Sequence, residues 1–177
     1  NAHSVAAELS DPDRVQSMLV KADEISGGLD VVFNNAAIMS PWRDPHTTPA
    51  DDYRASFEVN VIALIKICDF VIPGMKARGF GRIINTSSGI ADQPELMPYS
   101  VSKAAVDRYV RDLVSSLKGT GVVMSILDPG WLQTDMGGDQ APNTVETVLP
   151  GALVPALFAD DEPSGQFIRA QDYRTDP

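Results

Sequence analysis

A single cysteine, Cys68, stands in 177 residues. No internal disulfide can form, and the expectation is a buried, inert thiol in a reducing cytoplasm. Basic residues are also few: 14 Lys and Arg against 24 Asp and Glu leave a net charge of −10. Nucleic acids and anionic membrane surfaces are bound by basic patches, so neither is expected as a partner. No apolar run approaches the ~18 residues of a membrane span, and no basic flank with an apolar stretch opens the chain, so neither an anchor nor a signal peptide is read. His3 and His46 are isolated, without a second ligand at metal spacing, and no metal is expected. What the chain does have is 44% hydrophobic residues, enough for one domain with a sizeable core over residues 1–177.

The apolar pattern alternates between two periods. Residues 4–9 can form a short strand, and Ser10, Asp11 and Pro12 then open a helix to about Ser26 with Val15, Met18, Leu19, Ala22 and Ile25 as its stripe. The run 29–33 (LDVVF) reads as a parallel strand covered on both faces. Thr48 and Pro49 open a helix expected to continue to about Ala77, with Pro73 kinking or breaking it. GRIINTS (81–87) is the next strand, 98–117 a helix with Val101, Ala105, Tyr109, Leu113 and Leu117 among its apolar positions, and VVMSIL (122–127) another buried strand. Asn143 with Glu146 has the spacing of a capping box for a further helix, and 165–168 suits a last short strand. Strands alternating with helices predict a parallel α/β sheet with right-handed crossovers.

The chemistry concentrates in residues 82–103, RIINTSSGIADQPELMPYSVSK. Tyr99 and Lys103 lie about one helical turn apart, so a helix opened by Pro98 puts phenol and ammonium on one face. An ammonium beside a phenol is expected to lower its pKa from about 10 towards neutrality and make it a usable acid or base. Ser88 follows the apolar run, where a strand end brings its hydroxyl to the phenol. Taken alone, Tyr-x-x-x-Lys is a weak motif, and an exposed pair on a helix face is the default. The strand, Ser-Ser pair, loop and helix around it give it weight. The other notable residues also fall at the carboxyl ends of predicted strands, where ligands sit in such sheets: Leu9, 34–36, and Pro129-Gly130 onwards.

This arrangement resembles the short-chain dehydrogenase/reductase family of the classical type, carbonyl-reductase-like, over nearly the whole chain. The resemblance implies an α/β, Rossmann-like doubly wound parallel sheet and an NAD(P)-dependent oxidoreductase acting on a small-molecule carbonyl/alcohol pair. It implies Tyr99 as general acid/base, Ser88 as the hydroxyl that polarises the carbonyl, Lys103 as the partner of Tyr99, and Asn60 of FEVNVIAL as the residue completing a proton relay. Asn34-Asn35-Ala36-Ala37 is similar to the family's Asn-Asn-Ala-Gly, and Glu8-Leu9 stands where Asp-Val is usual. The cofactor, NAD or NADP, is thereby expected to touch Leu9, Asn35, Ala36, Tyr99, Lys103, Pro129, Gly130, Leu132 and Thr134.

One departure is large. The family's glycine-rich turn, Thr-Gly-x-x-x-Gly-x-Gly, has no counterpart here. The chain starts near the family's third strand, so the expected domain is partial, lacking the first strand-helix-strand unit, about 30–50 residues. Poor cofactor binding by these residues alone follows. Two other functions compete: a non-catalytic dinucleotide-sensing or interaction module on the same scaffold, and a sugar-nucleotide epimerase, which shares Tyr-x-x-x-Lys but carries a longer C-terminal region. By analogy, helices 49–77 and 98–118 imply a homodimer or homotetramer.

Overall fold

Four parallel strands in the order β1-β2-β3-β4 form the frame of the computed structural model, which describes residues 2–174. They are β1 (Val31–Asn34), β2 (Gly81–Thr86), β3 (Val122–Asp128) and β4 (Phe167–Arg169). Helix α1 (Pro12–Ser26) precedes the sheet. Helices α2 (Ala50–Phe57) and α3 (Ala63–Arg78) link β1 to β2, and α4 (Met97–Leu117) links β2 to β3. The parallel α/β architecture read from the sequence is therefore present. Among the described residues no helix is long and apolar enough to cross a membrane, and no three His, Cys, Asp or Glu side chains gather to hold a metal.

Period-two alternation sorts the strand residues onto two faces. Ile83, Val122, Met124 and Ile126 join Leu64, Cys68, Val71, Met75, Val106 and Val110 in the main core under α3 and α4. Ile84 and Leu127 point the other way and meet Ile168, Ala170 and the C-terminal segment. In the main core Cys68 is fully buried, and burial pushes its thiol up to about 12, which keeps it protonated.

Several sequence expectations are corrected. Strand β1 is covered on one face only: Val31 and Phe33 are 42% and 41% exposed. Their register with Arg82 and Ile84 puts them on the C-terminal segment's side of the sheet, and that segment packs on β2, β3 and β4. Residues 4–9 form no strand, because a strand needs a neighbour and β1 pairs with β2 alone. Ile25 and Val101, assigned to apolar stripes, are exposed. Ser102, Lys103, Val106 and Val110 form the buried side of α4 instead.

The long helix expected from 49 to 77 is interrupted, but not at Pro73, which lies inside α3. Thr48 gives no cap; its hydroxyl donates to the Asp44 carbonyl at 3.0 Å. The break is a π-turn at Glu58–Ile62, where the Ala63 amide reaches back five residues to the Glu58 carbonyl. After β3, no α-helix starts at Asn143. Two 3-10 segments, Val145–Val148 and Gly151–Leu157, stand there, and Asn143 donates its amide to the Trp131 carbonyl at 3.1 Å instead of capping. Pro150 and Pro155 remove the amide donors that a continuous helix would use.

Candidate active site

Strand β2 is buried along its whole length and delivers Ser87 and Ser88 at its carboxyl end. The Ser88 hydroxyl accepts from the Ile90 amide at 3.1 Å, which bends the chain away from the sheet. After a 3-10 turn at Pro94–Leu96 the chain enters α4, with Tyr99 in the first turn and Lys103 one turn on. Helical spacing thus brings both side chains back over the end of β2. The Tyr99 phenol stands close enough to the Ser88 side chain for that hydroxyl to lower its pKa. Lys103, only 3% exposed, donates to the Thr86 carbonyl at 2.8 Å, and its Nζ stands 5.7 Å from the centre of the Tyr99 ring. The three groups singled out in the sequence are together.

Their electrostatics differ from the expectation. Burial raises the Tyr99 pKa and Asp128 adds to it, while the Ser88 hydroxyl opposes them. Lys103 is not among the groups that move the phenol: its ammonium lies over the ring and donates to the Thr86 carbonyl. Burial lowers Lys103 itself to about 8, against an opposing pull from Asp107. At neutral pH the pair is a phenol and an ammonium.

Asn60 sits in the π-turn, and its amide is fully engaged. Its Oδ1 accepts from the Ile38 amide at 2.8 Å; its Nδ2 donates to the Ile38 carbonyl at 2.9 Å and to the Ser102 hydroxyl at 3.0 Å. Ser102 in turn donates to the Tyr99 carbonyl at 2.7 Å. Asn60 therefore fastens the loop after β1 to the turn of α4 that carries Tyr99 and Lys103. The π-turn, which shifts the register of the helix by one residue, is where this side chain makes both contacts.

The other predicted contacts ring the strand ends unevenly. Asn35 accepts from the Thr86 hydroxyl at 3.1 Å, beside the carbonyl that holds Lys103, and Ala36 follows it exposed. Asp128 ends β3 and accepts from the Gly130 amide at 3.0 Å. Gly130 has φ +82°, and a Cβ there would come within 2.8 Å of Gln171; Gln171 also holds the Pro129 carbonyl at 2.8 Å. Leu132 bridges to Asn143, and the exposed Thr134 hydroxyl accepts from the Gly137 amide at 3.0 Å. Leu9 is not drawn to this group: it packs against Val15, Leu19 and Ala63.

Thr86, Ser87, Ser102, Asp107 and Asp128 complete the surroundings; of these the sequence reading singled out only Ser87, as half of the Ser87-Ser88 pair at a strand end. Asp128 had a signal, since it ends a buried strand before Pro129-Gly130. Ser102 and Asp107 acquire meaning only when α4 is laid against β2. A cavity of about 630 Å³ lies at the other end of the sheet, lined by Val114, Leu117, Lys118 and residues 160–164. It contains none of these groups, so the candidate site rests on its buried ionisable side chains rather than on that hollow.

Comparison with known proteins gives a consistent picture. Residues 1–144 match the family model described as short chain dehydrogenase. The chain is 32% identical over 130 residues to the uncharacterized oxidoreductase YvrD of Bacillus subtilis, covering 72% of this chain and 49% of that protein, so it spans about half of YvrD's length. It is 28% identical over 151 residues to the C-signal of Myxococcus xanthus, covering 82% of this chain and 91% of that one. The structure of an NADPH-bound carbonyl reductase from chicken fatty liver superimposes with a TM-score of 0.83 at 24% identity, over 97% of this chain and 75% of that one, a likeness of fold.

Proposed function

The chain belongs to the short-chain dehydrogenase family, an oxidoreductase family, and from that premise we propose that it carries the proton-transfer part of an NAD- or NADP-dependent enzyme that interconverts a carbonyl and an alcohol. The observation that carries the reading is the meeting of Ser88, Tyr99 and Lys103 at the strand ends. Such ends are where doubly wound sheets take nucleotides. The residues fit the ribose and nicotinamide part of the cofactor: Lys103 has one hydrogen bond and donors left over, and Asn35 and Ala36 are exposed beside it. In this reading Lys103 and Tyr99 hold ribose hydroxyls, Asn35 and Ala36 border the adenosine side, and Pro129, Gly130, Leu132 and Thr134 border the nicotinamide. When bound, the nicotinamide supplies or takes up the hydride.

The phenol supplies the proton. Burial keeps Tyr99 protonated at neutral pH, which suits it to donate to a carbonyl oxygen, while the Ser88 hydroxyl bonds the same oxygen. Oxidation runs the transfer backwards and needs the phenolate, which the raised pKa opposes. Near neutrality the form of Tyr99 present is the protonated one, which is the form that reduction uses. Asn60 acts by holding α4 in register through Ser102.

In the whole protein, Tyr99→Phe is expected to lower turnover of a carbonyl panel by roughly 10²–10⁴-fold, with binding of the reduced cofactor, followed by its fluorescence, retained and weakened at most by the loss of one ribose hydrogen bond. Turnover at the wild-type rate removes Tyr99 from the chemistry. A second reading, a dinucleotide-sensing or interaction module, draws on the match to most of the length of the C-signal protein. Cofactor binding without turnover on any carbonyl or alcohol of the panel would favour it.

A further inference from the structure

Asp107 lies one turn beyond Lys103 on α4, half-buried. The Ser87 side chain, at the end of β2, lies near enough to favour its charged form but donates to the Lys103 carbonyl at 3.5 Å, and the Asp107 Oδ1 is buried without a hydrogen-bond partner. A carboxylate left partly unsatisfied costs stability. Four groups face it: Lys103 and Arg111 from its own helix, Ser87 from the end of β2, and Asp128, which repels it, from the end of β3. Lys103 meanwhile is buried with a single hydrogen bond, to a neutral carbonyl. Among the described residues, Asp107 is the one carboxylate whose field acts appreciably on that ammonium. Residues four apart on a helix are neighbours, so the carboxylate sits on the Lys103 side of α4 without forming a direct ion pair.

We infer that Asp107 is a positioning residue: from one turn further along α4, its carboxylate holds Lys103 in the charged form beside Tyr99. The inference rests on the oxidoreductase reading of Ser88, Tyr99 and Lys103, but the relation between Asp107 and Lys103 can be measured without any turnover. Burial drives the Lys103 pKa down to about 8 and Asp107 opposes it. Neutralising Asp107 leaves burial unopposed, so Lys103 releases its proton at lower pH. In turnover this moves the alkaline limb of the pH profile downward, since the charged ammonium is then lost sooner.

The test is an NMR titration of the Lys103 side chain, by its ¹³Cε shift, in wild type, Asp107→Asn and Asp107→Glu. The Lys103 midpoint is expected to fall by about one unit in Asp107→Asn and to return towards wild type in Asp107→Glu. The alkaline limb of the rate profile is expected to move by the same interval. A purely structural role for Asp107 would lower activity at every pH without moving that limb. An unmoved Lys103 midpoint in Asp107→Asn overturns the inference, and so does a moved midpoint with a fixed alkaline limb. If Asp107→Asn does not fold, Asp107→Ser removes the charge with a smaller polar side chain. A fall of the Lys103 midpoint there supports the inference, and no fall overturns it. Tyr99→Phe, assayed alongside, reports on the oxidoreductase reading alone, so failure of one is told from failure of the other.

Discussion

Two cations are buried against β2, one at each end, and they are held in opposite ways. Arg82, 2% exposed, has every donor of its guanidinium engaged. Nε and Nη2 reach the Phe158 carbonyl at 2.9 and 2.7 Å, Nη1 reaches the carbonyls of Gly81 and Gly121 at 2.9 and 3.1 Å, and Nη2 also meets Asp160 at 2.5 Å. The Phe80 ring lies 4.4 Å below. Lys103, equally buried, has one bond to Thr86. A planar fork filled on all sides stitches the C-terminal segment to the sheet, and nothing remains for a ligand. A point charge with donors to spare is a cost to the fold and an opportunity for chemistry. One end of the strand is built to stay shut, the other to accept something.

The largest expected effect breaks the saturated end. Arg82→Ala leaves the Phe158 and Gly121 carbonyls without their donor and opens a void in the face around Ile84 and Leu127. The loss is expected at about 3–5 kcal/mol by urea unfolding. A loss below about 1 kcal/mol would mean that water replaces the guanidinium readily and that this end is not built as described.

The next effect sharpens the poised end. The folded Lys103 pKa, about 8, lies below its ordinary value of 10.5. Below about 8 both folded and unfolded chains carry the proton, and the full cost of burying the ammonium applies. Between 8 and 10.5 the unfolded chain holds more protons, so wild-type stability gains as pH rises through that window and loses the gain as pH falls through about 8. Lys103→Met has no such term. The stability difference, Met variant minus wild type, is expected to grow by up to about 3 kcal/mol on going from pH 10.5 to 8. Its absolute level also contains the lost bond to the Thr86 carbonyl, about 1–3 kcal/mol, so the slope is what counts. A flat difference would show that Lys103 is hydrated after all.

What could be read ahead of the structure divides along the same line. Tyr99, Lys103 and Ser88 were legible because their relation is local: a helical turn and a strand end fix it. The strands β2 and β3 were legible from short apolar runs, Ile83-Ile84 in one and residues 122–124 and 126–127 in the other. The misses all depend on a distant partner. Residues 4–9 have strand composition and nothing to pair with. Val31 and Phe33 have core composition and no cover. Asn60 was read by resemblance, but its π-turn exists to serve Ile38 and Ser102, which no local pattern announces. The direction of the Tyr99 shift was missed because proximity of charge was visible in the spacing and desolvation was not.

The smallest effect probes whether charge or carbonyls hold Arg82. Among the described residues Asp160 is the one anion on the guanidinium, yet its side chain is 64% exposed, so water screens the pair and takes over much of the carboxylate when the pair is broken. The other four contacts of Arg82 run to backbone carbonyls that cannot leave, and an Asn at 160 keeps an oxygen able to accept. Asp160→Asn is therefore expected to change the unfolding free energy by no more than about 0.5 kcal/mol, seen as a nearly unmoved urea midpoint with an unchanged slope. A loss of about 2 kcal/mol or more would say that Arg82 depends on its carboxylate as Lys103 is argued to depend on Asp107. The two ends of β2 would then differ in degree of solvation and not in kind. Because Asp160 is exposed where Asp107 is half-buried, the same Asp→Asn change should matter little at one end and reset a titration at the other.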